Sequence, residues 1–450
     1  MKQGLRAFLA FLLCLALLAV QSFAADVPET YSETYCVMDA TTGQVLLEKD
    51  AHKRMYPASI TKILTAAIAL RDGNPNDEWT MSYKATHTIE PGSTHIALTD
   101  GETVKVRDLL YTMMIESAND SANGLAEYVA GDIDDFPAVM NETAQEIGAV
   151  DSHFMNANGL PDPEHYTTAY DMALITKWAL TIPGFRDVFG AEEYTMPGTN
   201  IADHSEPRHF GTRNPMLVES KYYYEGTEGG KLGWTEEAQH TLVELVRRGD
   251  MELIVVVLKS SGNQYYKYQD VIALCDYCFD TFGVSTFSGA LFEHDPIPVI
   301  KDGAVVGSVT LSTDDISVNH PATIAKSDII CMADVPEFYS ADAPITPTAV
   351  FTDRAGAVIA EVPIAYTYEK TASETPEAEP AAPEKPERAG GSLLLRILRW
   401  ILTALLILFV LFVIFVFSVR WYNMRRRRKR REARQAQLRA RQQRRNPPRQ

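Results

Sequence analysis

Apolar residues are spaced differently in successive stretches of the 450-residue chain. Behind Lys2 and Arg6, an unbroken apolar run from Ala7 to Val20 closes on the small residues Ser22, Ala24 and Ala25. That layout predicts a cleavable secretory signal over residues 1–25; the run is short for the alternative, an anchor left in place. The short runs Tyr35–Asp39 and Val45–Glu48, with Thr41, Thr42 and Gly43 at the turn, predict a hairpin. Ile60, Ile63, Leu64, Ala67 and Ile68 then follow helical spacing, so a helix is expected over about Ser59–Arg71, stopped by Gly73. A second stripe, Val106, Leu109, Leu110, Met113 and Met114, predicts a helix near Val104–Ile115. Later, His240–Val246 and Met251–Leu258 read as strands around an Arg248-Gly249-Asp250 turn, followed by another helix. Strands at both ends with helices between them imply a mixed α/β (α+β) domain over residues 26–285, its one sheet closed by pairing the first and last segments.

Beyond it the period changes. Residues 286–369 hold short β-rich runs, such as Ala304–Leu311 and Ala357–Tyr366, between Gly, Pro and Asp turns, which predicts a small all-β domain. Residues 370–392 set Pro376, Pro380, Pro383 and Pro386 among glutamates. Such a stretch cannot bury a core and is expected to be an extended linker of about 3.1 Å per residue. Trp400 to Val419 carries no charge, and at about 1.5 Å per residue it matches a hydrocarbon layer of about 30 Å. A transmembrane helix with its flanks is therefore expected over residues 393–422. Trp400, Trp421 and Tyr422 sit at its ends, and Arg425–Arg428, Lys429, Arg430 and Arg431 follow. Aromatic anchors and basic residues place the 423–450 tail in the cytoplasm and residues 26–369 on the outer side of a single-pass cell-membrane protein.

Charge sharpens this division. The tail from Arg425 carries thirteen basic residues against one acidic, although the whole chain has a net charge of −17. The tail thus suits anionic lipid, and the strongly acidic remainder is unsuited to a polyanion, so no nucleic acid is expected as a partner. Cys14 lies in the signal segment, and Cys275 and Cys278 fall on one apolar helical stripe with Val271, Leu274 and Phe279, which reads as core packing in preference to metal or redox work. No H-E-x-x-H pair and no G-x-S-x-G elbow occurs, which leaves zinc-peptidase and α/β-hydrolase chemistry without local support.

Three short segments carry the candidate chemistry. In Tyr56-Pro57-Ala58-Ser59-Ile60-Thr61-Lys62, a serine at a helix start has a lysine three positions on, on the same face. A serine hydroxyl needs a base, and a lysine can serve if burial or a neighbouring cation makes its ammonium unstable. Ser117-Ala118-Asn119-Asp120 offers a second hydroxyl for proton relay and an amide to hold a peptide. Gly230-Lys231-Leu232-Gly233-Trp234-Thr235 offers a second cation on a strand edge. One S-x-x-K alone is a weak signal, expected about twice by chance in a chain this long. Three segments in this order are far more specific.

With these segments the chain resembles the low-molecular-weight penicillin-binding proteins that are serine D-alanyl-D-alanine carboxypeptidases. The likeness extends over roughly residues 30–370 and includes Asn156, Gly159, Leu160, His165, Thr168, Ala169 and Asp171. It implies a β-lactamase/transpeptidase-type fold, an antiparallel sheet between helices. It implies further that Ser59 forms the acyl-enzyme, Lys62 is the general base, Ser117 relays protons, Asn119 positions the substrate and Lys231 binds its terminal carboxylate. The backbone N–H groups of Ser59 and Trp234 would form the oxyanion hole, and Gly233 and Trp234 would count among the substrate-binding residues. The implied substrates are peptidoglycan stem peptides, with β-lactams acylating the same serine and no cofactor or metal required. One position departs: Leu232 stands where the family has threonine. A lost charge-assisted hydrogen bond costs about 1.5–3 kcal/mol, roughly ten- to a hundredfold in rate. Thr235 is too far along the strand to substitute, and Arg213 reads as a surface residue with a second reading as a carboxylate partner. His165 is taken as structural, and Tyr222, Tyr223 and Tyr224 as packing residues with a cleft-lining alternative.

Overall fold

A computed structural model of the protein describes residues 26–371. The expected signal segment, the span, the basic tail and all but the first two residues of the linker lie outside the described residues. Among the described residues, no helix is long and apolar enough to cross a membrane.

The predicted hairpin forms β1 (Ser32–Asp39) and β2 (Val45–Lys49). Next come α1 (Lys62–Asp72), α2 (Val106–Ile115), α3 (Asn119–Ala130), α4 (Phe136–Ile147) and α5 (Ala169–Ala179). The sheet is completed by β3 (Thr227–Thr235), β4 (Gln239–Arg248) and β5 (Met251–Ser260), and α6 (Tyr266–Thr281) follows. Strand order is β2-β1-β5-β4-β3, antiparallel throughout. Val37 pairs with Val255, so the first and last strands do close the sheet, and β3 is left as an edge.

β5 is apolar almost without interruption because it is covered on both faces. Ile254, Val256 and Leu258 join the core beneath α1–α5, whereas Leu253, Val255 and Val257 join a second core under α6. Cys275 and Cys278 are fully buried in that second core, as the helical stripe predicted. α1 is the innermost helix; every residue from Lys62 to Ala69 is buried, as expected of a helix that is enclosed all round.

The sequence reading needs correction at three places. The first helix opens as a 3₁₀ turn at Ala58–Thr61 and becomes α-helical only at Lys62, because Ala58 has a left-handed backbone, φ +53°. Val104 belongs to a short strand pairing with Trp79, since the Lys105 N–H donates to the Asp108 carboxylate at 2.9 Å and caps the helix at Val106. The run Ala357–Tyr366 divides into two strands, Val358–Pro363 and Tyr366–Lys370. Between them, the Ile364 N–H donates to Pro347 and the Ala365 carbonyl accepts from Ser312, so the chain changes sheets at that point.

After α6 the chain passes into nine strands between Phe282 and Lys370. A small core around Phe287, Phe292, Val309 and Phe351 fills this part. Asn319 and Gln44 exchange backbone and side-chain hydrogen bonds of 2.9 and 3.2 Å, tying it to the β1–β2 turn.

Candidate active site

Three separate elements bring their polar ends to one place. Lys62 starts α1, one turn after Ser59, and in a 3₁₀ turn the side chains at i and i+3 eclipse. Lys62 Nζ accordingly lies 3.0 Å from Ser59 Oγ. It also donates to Asn119 Oδ1 and to the Asn158 carbonyl, each at 2.7 Å. An uncharged amine has two N–H bonds and one lone pair. Two fixed acceptors occupy the N–H bonds, so the lone pair is left facing the Ser59 hydroxyl. Burial holds the Lys62 ammonium well below its ordinary range, and the charge of Lys231 lowers it further, against an opposing pull from Asp120.

Ser117 and Asn119 flank the junction between α2 and α3. Ser117 has φ +61°, a left-handed conformation that costs about 1–3 kcal/mol for a residue with a side chain. Its hydroxyl meets Lys231 Nζ at 3.0 Å, and two residues later Asn119 meets Lys62. The buried Asp120 carboxylate accepts N–H bonds from Ile96 and Leu98 at 2.9–3.3 Å, pinning the neighbouring loop, whose Thr94 carbonyl accepts from Asn119 N–H.

Lys231 is 2 % exposed, and burial foremost, then the charges of Arg213 and Lys267, push its ammonium down to about 7. Gly233 brings β3 against Ser59; a Cβ there would sit 2.9 Å from Ser59 N and 2.3 Å from Thr241 Oγ1, so no side chain fits. Gly159, at φ +86°, packs against the carbonyl of Ala58 from the other side, where a Cβ would come within 1.9 Å.

A cavity of about 350 Å³ opens over Ser59 and Asn119. Its walls are the 90–94 loop, Gly159–Pro161 and the strand end from Trp234 to Glu237. Lys62 and Lys231 are buried behind it. Ser59, Lys62, Ser117, Asn119, Lys231, Gly233 and Trp234 are therefore connected in one neighbourhood. Leu232 turns away and packs in the second core. Arg213 is exposed and bonds Glu116 at 2.6 Å. His165 is buried, contacts Thr61 Oγ1 at 3.1 Å and is kept neutral by burial, with a pKa near 4. Tyr222 stacks on Tyr265, and Tyr224 donates to Asp276. The Asn158 carbonyl escaped sequence reasoning because a backbone acceptor has no residue signature. Among the described residues, no group of three or more metal-ligating side chains occurs.

The sequence pattern of the peptidase S11 family, described as D-alanyl-D-alanine carboxypeptidase, matches residues 21–262, more than half the chain. The chain belongs to this family. It is 34% identical over 268 residues to D-alanyl-D-alanine carboxypeptidase DacC of Escherichia coli, covering 57% of this chain and 64% of that protein. It is 29% identical over 250 residues to DacF of Bacillus subtilis, covering 55% and 61%. The chain thus spans a little under two thirds of the length of these curated relatives. Penicillin binding protein 5 from Haemophilus influenzae shares the fold, with a TM-score of 0.63 at 23% identity over 76% of this chain and 98% of that one. Membership of the S11 family agrees with the resemblance drawn from the three motifs.

Proposed function

We propose that the protein is a serine D-Ala-D-Ala carboxypeptidase that removes the terminal D-alanine of peptidoglycan stem peptides and is inhibited by β-lactams. The observation that carries this reading is the uncharged-amine geometry at Lys62, 3.0 Å from Ser59 Oγ with its other two directions occupied. Ser59 Oγ attacks the penultimate D-alanine carbonyl as its proton passes to Lys62. The amide C–N bond then breaks, and the departing D-alanine amine takes a proton through Ser117. Water hydrolyses the ester and restores Ser59. The N–H groups of Ser59 and Trp234 receive the oxyanion, Asn119 holds the peptide, and Lys231 faces the terminal carboxylate. The names of the family's curated members support the same reaction.

Residues 1–25 act as a secretory signal in this reading, and residues 393–422 hold the protein in the cell membrane with its basic tail inside. The catalytic domain (26–285) and a separate β-rich domain (286–369) then stand on the outer side on a 370–392 linker. The span's twenty uncharged residues and the arginine cluster after it support the arrangement.

Full-length protein incubated with a pentapeptide ending in D-Ala-D-Ala should release D-alanine, and Ser59→Ala should reduce release to background. Undiminished release by that variant would overturn the assignment. Leu232 favours a second reading, a wall-binding or sensing protein that is acylated by penicillin but barely turns over. In that case labelled penicillin marks Ser59 while peptide cleavage stays at background.

A further inference from the structure

A buried ion pair outside the cavity grips the segment that leads to it. The Glu102 side chain is fully buried. It accepts from Arg208 Nη2 at 2.9 Å and from the Thr199 hydroxyl, His204 Nδ1 and the Thr99 N–H, each at 3.0 Å. Thr199, His204 and Arg208 come from the hairpin of Glu193–Met196 and Arg208–Gly211 and the excursion between its strands. A carboxylate so enclosed is stable as an ion only when its acceptor directions are filled, as they are here.

The other terminal nitrogen of Arg208 acts on the backbone. Nη1 donates to the Ile96 carbonyl at 3.1 Å, while the Ile96 and Leu98 N–H groups donate to Asp120 at 3.1 and 2.9 Å. Ala97, between them, has φ +61°, a left-handed backbone that an alanine keeps only where its neighbours are fixed. Two residues earlier, the Thr94 carbonyl accepts the Asn119 N–H at 2.8 Å, and Asn119 Oδ1 meets Lys62. A run of hydrogen bonds thus leads from Glu102 to the amine beside Ser59, although neither Glu102 nor Arg208 lines the cavity.

We propose that Glu102 and Arg208 are positioning residues for acylation: the buried carboxylate holds the guanidinium on Ile96, and so fixes the 94–98 segment that seats Asn119 against Lys62. This rests on the reading of Ser59 and Lys62 as the acylating pair. Arginine suits the task because its planar fork reaches a carboxylate and a carbonyl at once, which the single ammonium of a lysine does not match. Without the fork, the Ile96 carbonyl loses its donor and Ala97 relaxes toward an ordinary backbone, taking Thr94 and the Asn119 main chain with it. Asn119 then fixes Lys62 less well, and the lone pair of the amine is aimed at Ser59 for less of the time.

The test uses full-length protein and a fluorescent penicillin. The first-order acylation constant, read by stopped flow at saturating penicillin, does not depend on how much of a sample is folded. Arg208→Met should lower it about tenfold, and Arg208→Lys should recover part of that loss. E102Q/R208M should be no slower than R208M, because both changes open the same latch. Arg186→Met is the control: it removes an arginine from another buried carboxylate, Glu252, and should lower stability while leaving the acylation constant unchanged. If Arg208→Met does not fold, Arg208→Lys and Glu102→Gln carry the same comparison, with smaller falls expected. A constant unchanged in the Arg208 variants, or lowered no further than by Arg186→Met, overturns the proposal, as do additive losses in the double variant. Wild-type protein that is acylated but releases no D-alanine from peptide overturns the carboxypeptidase reading and leaves the latch result standing. Wild-type protein that is not acylated at all overturns both.

Discussion

The floor of the cavity and its strand edge each hold a buried lysine beside a serine, yet the two lysines are bonded differently. Lys62 has two fixed acceptors besides Ser59 and no direction to spare. Lys231 contacts Ser117 Oγ and one carbonyl, that of Leu232, each at 3.0 Å. A charged lysine has three donors, so Lys231 keeps one free. A saturated amine is suited to passing a proton back and forth, and an unsaturated one to receiving an anion. The sequence offers two Ser–Lys associations that look alike, and only the surrounding acceptors separate their tasks.

Substitution at the floor should give the largest effect. Lys62→Met is expected to lower the acylation rate by about 10²–10⁴-fold, measured by stopped-flow labelling with a fluorescent penicillin. Lys231→Met should fall chiefly in kcat/KM for peptide, by about ten- to a hundredfold, because one charge-assisted bond to the carboxylate is lost. If the two variants lost the same step to the same extent, the distinction would fail.

The pH profile sharpens the contrast. Lys62 must be uncharged to accept a proton, so activity falls as pH drops through its lowered pKa. Lys231 must be charged to attract a carboxylate, so kcat/KM should also decline above about 7, where the free enzyme loses that charge. A bound carboxylate raises the lysine pKa, and the alkaline limb of kcat should therefore lie higher than that of kcat/KM. Stability should show the same groups with a fixed sign. Lys231 titrates near 7 when folded and near 10.4 when unfolded, so the unfolded chain binds more protons between those values. Its contribution to stability therefore rises with pH across that window, and denaturant midpoints for Lys231→Met should rise less steeply there than those of the wild type.

The smallest effect is expected from Leu232→Thr. Its side chain is directed toward the α6 core, so a hydroxyl there is poorly placed for the cavity. Peptide turnover should gain less than tenfold, with a loss of about 1 kcal/mol in urea unfolding from the weakened packing. A hundredfold gain would mean that this position, and not Lys231, limits carboxylate binding.

Much of this architecture was legible from the chain alone because it depends on periodicity. The hairpin, the strand pair at Met251 and the cysteine-bearing helix follow from spacing of apolar residues, and Ser59–Lys62 from three-residue spacing on a helix. What escaped depends on backbone geometry or on distant partners. Nothing local marks the left-handed turns at Ala58 and Ser117, the Asn158 carbonyl or the packing of Leu232 against the α6 core. The break after Pro363 was hidden because apolar residues continue through it while the hydrogen-bond partners change. Lys231 was placed on a strand edge correctly, but the depth of its burial is set by elements more than a hundred residues away.

The pairing of Ser32 with Ser260 has a consequence in time as well as in space. A chain emerging from the ribosome holds the nucleophile early, but its sheet stays unfinished until the closing strand arrives. Such long-range closure slows folding. A product truncated before residue 250 would carry every motif residue in its sequence and still lack the central strand that joins the first strand of the sheet to the rest.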